Sequence, residues 1–343
     1  MNVIRPICES DLEVLCQIAV DSGPGFTSLP ENTELLNDKI RCSDLCFSTE
    51  KLEPGPDQTY LFVMEESETR EVIGTCGIVA AVGMAEPWYH YRIGTVVHSS
   101  RELRVHNTFK TLYMCNDYTG CSEVCTLFLK PDYRHSNNGS LLSKSRFMFM
   151  AEFPERFASK VIAEMRGFSD DQGYSPFWDG LGRHFFTMEY SEADYLTGSG
   201  NKVFIAELMP KHTQYIHMLP EPAQQAIGKV HKNTEPARRM LEAEGFRFEG
   251  YVDIFDAGPT LASPLNDVRA IRESHYVKAR ICHQPPESNQ IYMISSRSLL
   301  DFRCTMAALT PSGSAVDISE ELAQALLIED GDTVRIAALK PRN

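Results

Sequence analysis

Within LFLKPDYRHSNNGSLLSKSRFMFM, Leu127 to Met150, the residues Arg134, Asn137 and Gly139 form a pattern with a chemical use. The apolar run ahead of them stops at Pro131, which forbids a central strand from continuing. Behind them Leu141, Leu142, Phe147 and Phe149 return among polar residues, as in a helix packed on a core. A helix launched from a strand end presents unpaired backbone amides and the positive end of its dipole to the loop before it. That arrangement binds phosphate, and Arg134 adds a cation to it. Asn137 suits the turn, because asparagine readily takes a positive φ.

The elements that must position this loop can be read along the chain. VIRPICESDLEVLCQIAVDSG predicts a short strand and an amphipathic helix, and GPGFTSLP a glycine-rich loop. ENTELLNDKIRCSDL predicts a second helix, and TYLFVME with VIGTCGIVAAVG a β-hairpin. The aromatic segment from Ala85 to Gly120 is read as further antiparallel strands and loops, and EVCTLFL as the buried strand that feeds the phosphate loop. After the loop helix come a strand in KVIAEMRG and a helix in SPFWDGLGRHFF. KVFIAELMP, from Lys202, echoes KVIAEMRG, from Lys160, and predicts a repeated strand. NTEPARRMLEAEGFRFEGYVDIFD then predicts one more helix and strand, with Pro236 in the first turn and Gly245 at the end.

Written RxxNxG, the loop resembles, with Asn137 as the one departure, the RxxGxG loop with which GNAT-superfamily acyltransferases cradle the pyrophosphate of coenzyme A. The order of elements over about residues 1 to 190 resembles the GNAT order. The fold class expected is therefore α/β, an α+β mixed sheet of tandem GNAT-like halves, with residues 1–195 binding acyl-CoA and 196–275 forming a partial second half. Only the first half carries a phosphate loop, so one acyl-CoA site is expected, involving Leu127, Leu129, Arg134, Asn137, Gly139 and Ser140. The blocks GFTSLP, PWYHYRIGT, DYTGCSEVCTLFL, LLSKSRFMFMAEF, AEMRG, GYSPFW, FIAELMPKH, IGKVH, EGFRFEGYVDIFDAGPTL and VRAIR are similar, in order, to the arginine N-succinyltransferase family. The resemblance covers nearly all of residues 1 to 275. It implies transfer of succinyl from succinyl-CoA to the α-amino group of L-arginine in arginine catabolism. It also implies that Leu127 contacts succinyl-CoA and that His231 is the proton donor.

His231 falls in a short polar loop between two predicted helices, where an imidazole titrating near neutrality is free to serve an amine or a departing thiolate. The guanidinium of arginine asks for a carboxylate in fork geometry, and its carboxylate asks for a cation. Glu164 and Glu207 hold corresponding places in IAEM and IAEL, and Glu164 is preferred. For the succinyl carboxylate, Arg92 and Arg166 both serve, and the sequence does not choose between them.

A formal net charge of -14 argues against a nucleic-acid partner, which requires a basic face. The ten cysteines include no CxxC pair, so no metal site is expected and the thiols are read as reduced. No run of 18 apolar residues occurs, and MNVIRPICESDL carries charge where a signal peptide needs an apolar stretch. A cytoplasmic protein without a membrane partner is expected. No permanently bound cofactor is expected, and succinyl-CoA enters as co-substrate. Residues 276–343 alternate in QIYMISSR, FRCTMAALTP and DTVRIAAL around the short helix SEELAQALLI, and predict a small barrel-like β module. Homo- and hetero-oligomers both stay open. So do two other functions: the same chemistry on ornithine or with another acyl-CoA, and a non-catalytic acyl-CoA sensor or scaffold.

Overall fold

The computed structural model describes residues 1–23, 26–170, 173–198, 200 and 203–341. The chain opens with strand β1 (Asn2–Pro6), helices α1 (Leu12–Ser22) and α2 (Thr33–Ser48), and the hairpin of β2 (Thr59–Glu66) and β3 (Val72–Val79). Asn32 starts α2 by accepting from the amides of Glu34 and Leu35, both at 3.1 Å. A long hairpin of β4 (His90–Ser100) and β5 (Val105–Cys115) follows, then β6 (Ser122–Leu129), α3 (Asn138–Glu152) and β7 (Lys160–Glu164). Next come α4 (Arg183–Phe186), α5 (Tyr190–Gly198), α6 (Val203–Leu208), β8 (Gln214–Tyr215), α7 (Glu221–Ala226) and α8 (Glu235–Ala243). Two further strands, β9 (Arg247–Val252) and β10 (Pro259–Pro264), lead to α9 (Arg269–Glu273). The chain closes with β11 (His275–Ile281), β12 (Ile291–Ser295), β13 (Cys304–Ala308), β14 (Ala315–Ile318), α10 (Glu320–Leu326) and β15 (Thr333–Ala338).

All these strands join one mixed sheet in the order β14-β11-β15-β12-β13-β1-β2-β3-β6-β7-β10-β9-β4-β5-β8. Among the described residues the parallel pairs are β6 with β7 and β11 with β14. Alternation divides the sheet between two layers. Tyr60, Phe62 and Met64 of β2 pack with Leu141, Phe147 and Phe149 of α3, while Leu61 and Val63 pack with Leu15 and Ile18 of α1 and Leu36 and Ile40 of α2. Helix α3 is buried almost all round, and its buried residues include two cations, Lys144 and Arg146.

Two expectations change. KVFIAELMP was expected to repeat a strand, but Val203–Leu208 forms helix α6; Lys202, like Pro24 and Gly25 of GPGFTSLP, lies outside the described residues. Ile205 and Met209, four apart, sit buried in a cluster with Phe186 and Tyr190, so helical rather than alternating spacing meets the core there. A short apolar run reads either way until its neighbours are known. The C-terminal segment is β-rich with its own core of Val277, Ile294, Val316, Leu322 and Ile336. Its pairing stays open from β14 to β13 and continues into β1 through Ile4 opposite Cys304, so closure into a barrel is not seen among the described residues.

Candidate active site

Strands β6 and β7 pair only at Ser122 with Val161 and Glu123 with Ile162. Beyond that they part, and a cavity of about 450 Å³ opens between Cys125–Phe128 on one side and Ala163–Arg166 on the other. Its walls include Leu61 and Phe128 of the α1/α2 layer and Leu241 of the α3 layer, so the opening runs from one side of the sheet to the other.

A bulge in β6 shapes the donor side. Thr75 faces Phe128 and Gly77 faces Cys125, leaving Thr126 and Leu127 opposite the single residue Cys76. Thr126 holds a φ of 56°, a conformation that costs a β-branched residue about 1–3 kcal/mol. Gly77 makes room for it: a Cβ there would lie 2.9 Å from Leu61 Cδ2 and 3.2 Å from Thr126 Oγ1. With β7 gone, the cavity edge of β6 at Leu127 has no strand partner among the described residues, and that is the kind of edge an extended amide-bearing chain can pair with.

The loop after β6 leads to the start of α3. Arg134 lines the cavity, and its Nε donates to the Leu129 carbonyl at 2.9 Å. Ser136 and Asn137 take φ values of 52° and 65°, so asparagine does take the left-handed place in the RxxNxG pattern. The Asn138 amide bonds to His135 and the Leu141 amide to Asn137, which leaves the amides of Gly139 and Ser140 without intrahelical acceptors. A Cβ on Gly139 would meet nothing within 4 Å, so there is open space beside the first turn of α3. Asn137, Gly139 and Ser140 lie beyond the cavity wall proper, to which Leu127 and Arg134 belong, whereas Leu129, expected at the donor, is buried in the core cluster with Leu141 and Leu142.

The opposite side is acidic. Glu164 and Arg166 at the end of β7, Asp194 of α5, and Asp253 and Asp256 after β9 all line the cavity. Asp256 accepts from the amides of Gly258 and Gly167, at 2.8 and 2.6 Å, and from the Tyr190 hydroxyl at 3.3 Å. Gly258 permits this approach, since a Cβ there would fall 2.0 Å from the Met165 carbonyl. Asp253 accepts from the amides of Phe255 and Asp256 at 2.6 and 2.7 Å. Burial, and then the charge of Asp256, push Asp253 well above the usual carboxylate range. Burial likewise raises Asp256 and Tyr190.

His231 is 4% exposed, and its amide donates to the Arg166 carbonyl at 3.0 Å. Its Nδ1 faces the Asn233 amide at 3.2 Å as acceptor, which places the proton of the neutral ring on Nε2. The following residues Asn233 and Thr234 line the cavity. Of the two arginines left open by the sequence, Arg166 lines the cavity, with its buried Nε unpartnered. Arg92 does not: its side chain is 49% exposed on β4, bonded to the Tyr113 hydroxyl and 3.7 Å from Asp117. Glu207 is exposed on α6, leaving Glu164 as the glutamate of that pair at the cavity. Sequence reasoning missed Asp253, Asp256 and Tyr190, although YVDIFDAG shows its two acids three apart, and it missed Arg146 among the polar residues of α3. No three His, Cys, Asp or Glu side chains gather as a metal site, and no helix is long and apolar enough to cross a membrane, among the described residues.

Comparison with known proteins agrees along the whole chain. The family model described as arginine N-succinyltransferase beta subunit matches residues 2–270, and that of its C-terminal domain matches 277–338. Proteins named arginine N-succinyltransferase from Escherichia coli (strain 55989 / EAEC) and Salmonella schwarzengrund (strain CVM19633) are each 48% identical over 339 residues, covering 99% of this chain and 98% of theirs. The solved structure of arginine/ornithine succinyltransferase subunit AI from Pseudomonas aeruginosa is similar with a TM-score of 0.92 at 38% identity, covering 99% of both chains.

Proposed function

The chain belongs to the arginine N-succinyltransferase family, and on that footing we propose that it transfers succinyl from succinyl-CoA to the α-amino group of L-arginine. The observation that supports this most is the cavity between the parting strands, with a helix start and Arg134 toward one side and carboxylates toward the other. Succinyl-CoA lays its pyrophosphate on the amides of Gly139 and Ser140 and on Arg134, and its pantetheine arm pairs with the open edge of β6 at Leu127. Arginine enters the acidic side, with Glu164 near its guanidinium, and Arg166, expected from the sequence to serve the succinyl carboxylate, is assigned instead to the carboxylate of arginine because it lies beside Glu164 at the end of β7.

The chemistry is direct transfer. The free amine attacks the thioester carbonyl, the C–N bond forms, the C–S bond breaks, and the proton that the nitrogen sheds balances the one that the departing thiolate takes. The donor the family resemblance implies is His231, which acts in its imidazolium form because the N–H of a neutral imidazole is too weak an acid to protonate a thiolate, and which recovers its proton from the amine. The proposed division into residues 1–195, 196–275 and 276–343 is compatible with this site, since Leu127 and Glu164 come from the first part and Asn233 and Asp256 from the second, with His231 buried just before Asn233 and not itself in the cavity wall. A second reading, ornithine as acceptor, is kept because the Pseudomonas aeruginosa relative is named for both amino acids. Thiol release from succinyl-CoA, measured with arginine, ornithine and lysine, tests both. Release with arginine is expected; release with ornithine alone would put the second reading first, and no release with any amine would overturn both.

A further inference from the structure

Arg146 of α3 is 1% exposed and also lines the cavity. Its Nε donates to the Ser143 carbonyl at 2.9 Å, one Nη to the Cys125 carbonyl at 3.0 Å, and the other Nη to Ser143 Oγ at 3.0 Å. These acceptors are all uncharged, and among the described residues no carboxylate oxygen lies within 4.0 Å of its nitrogens. A guanidinium has five N–H groups, so each Nη keeps one N–H beyond these bonds, as a fork suited to a carboxylate.

Other deeply placed cations differ from it. Arg5 pairs with Asp11 and Glu65, Arg269 and Lys144 with Glu244, and Arg335 with Glu152. Arg156, equally buried, binds the carbonyls of Cys46, Thr49 and Glu50 away from the cavity. Among these, Arg146 is the buried cation that opens on the cavity and makes no ion pair among the described residues, the carboxylate of Glu123 in the same cavity wall acting on it only from beyond salt-bridge distance. Burial works against its charge, as the lowering of its pKa by desolvation indicates, and an anion brought by a ligand would relieve that cost.

Its place matches one end of the donor. The Cys125 carbonyl it holds is next to the bulge at Thr126 and Leu127, where the arm of the acyl donor pairs in the proposed reading. Only two methylenes separate the thioester carbonyl of a succinyl group from its distal carboxylate, so the cation for that carboxylate must adjoin the bulge rather than the phosphate loop. Resting on the succinyl-transfer reading, we propose that Arg146 binds the distal carboxylate of the acyl group and makes the enzyme selective for a dicarboxylic acyl-CoA.

The test compares succinyl-CoA with butyryl-CoA, which carries a methyl group in place of the carboxylate, in the full-length protein with arginine as acceptor. In R146M the ratio of kcat/KM for succinyl-CoA to that for butyryl-CoA is expected to fall by about 10² to 10³-fold. In R146K it falls less, because the charge stays and the fork is lost. The ratio is independent of the fraction of enzyme that folds. If R146M is insoluble, R146K and S143A, which withdraws one bond from the guanidinium, decide the matter by a several-fold fall in the same ratio. An unchanged ratio, with both donors declining together, would leave Arg146 as a brace for the bulge and overturn the proposal. Failure of the wild-type protein to use succinyl-CoA at all would instead overturn the parent reading.

Discussion

The amide of His231 donates to the carbonyl of Arg166 at 3.0 Å, which ties the imidazole loop to the end of β7. Next to this bond Val230 bridges Gly167, so the two segments continue each other as a short antiparallel contact. A change to the imidazole therefore leaves the main-chain link in place. His231→Ala is expected to lower kcat by about 10² to 10⁴-fold with an unaltered circular dichroism spectrum. Unchanged turnover would remove the histidine from the proton transfer.

Arg166 and the donor side separate kinetically. Arg166→Met removes a cavity cation that, among the described residues, has an unpartnered Nε and makes no ion pair, so its cost falls on the ligand it serves. The KM for arginine is expected to rise about tenfold or more, with the KM for succinyl-CoA nearly constant. Initial rates over a grid of both substrates measure it; a rise confined to the donor would reassign the residue.

Arg134 lies at the phosphate end, which a truncated donor does not reach. Arg134→Ala is expected to raise the KM for succinyl-CoA by roughly 5- to 30-fold, about 1–2 kcal/mol. Succinyl-pantetheine, lacking the pyrophosphate, is expected to show almost no difference between the variant and the wild type. Equal losses with both donors would indicate damage to β6 through the lost bond to Leu129.

The Asp253–Asp256 pair makes stability depend on pH. Burial first, then the Asp256 charge, raises Asp253 above its unfolded value, near 3.9. The folded state thus binds the proton more tightly; the stability is full below the unfolded pKa and is lost as pH rises through the folded one. Asp253→Asn keeps the Oδ1 that accepts from Phe255 and Asp256 and removes the titration. Its Tm is expected to change less with pH and to exceed that of the wild type at pH 8 by roughly 1–3 °C. Parallel Tm–pH curves would place the titrating group elsewhere.

What the sequence determined by itself is local. Pro131 ends a strand, Asn137 accepts a positive φ, and Leu141 onward begins a helix, because these follow from each residue's own backbone preferences and spacing. The hairpin of β2 and β3 followed from alternation alone. Tertiary structure decided what depends on distant partners. The same apolar spacing in Phe204–Met209 suits strand or helix, and the cluster around Phe186 chose helix. Thr126 has no local tendency toward a φ of 56°; pairing with β3 across Gly77 imposes it. Arg92 and Arg166 were equal as residue types, and only the parting of β6 from β7 placed one at a cavity and the other at the surface. Arg146 reads in sequence as one more polar residue in a helix, because its burial and its lack of an ion pair among the described residues are relations between segments that no single segment contains.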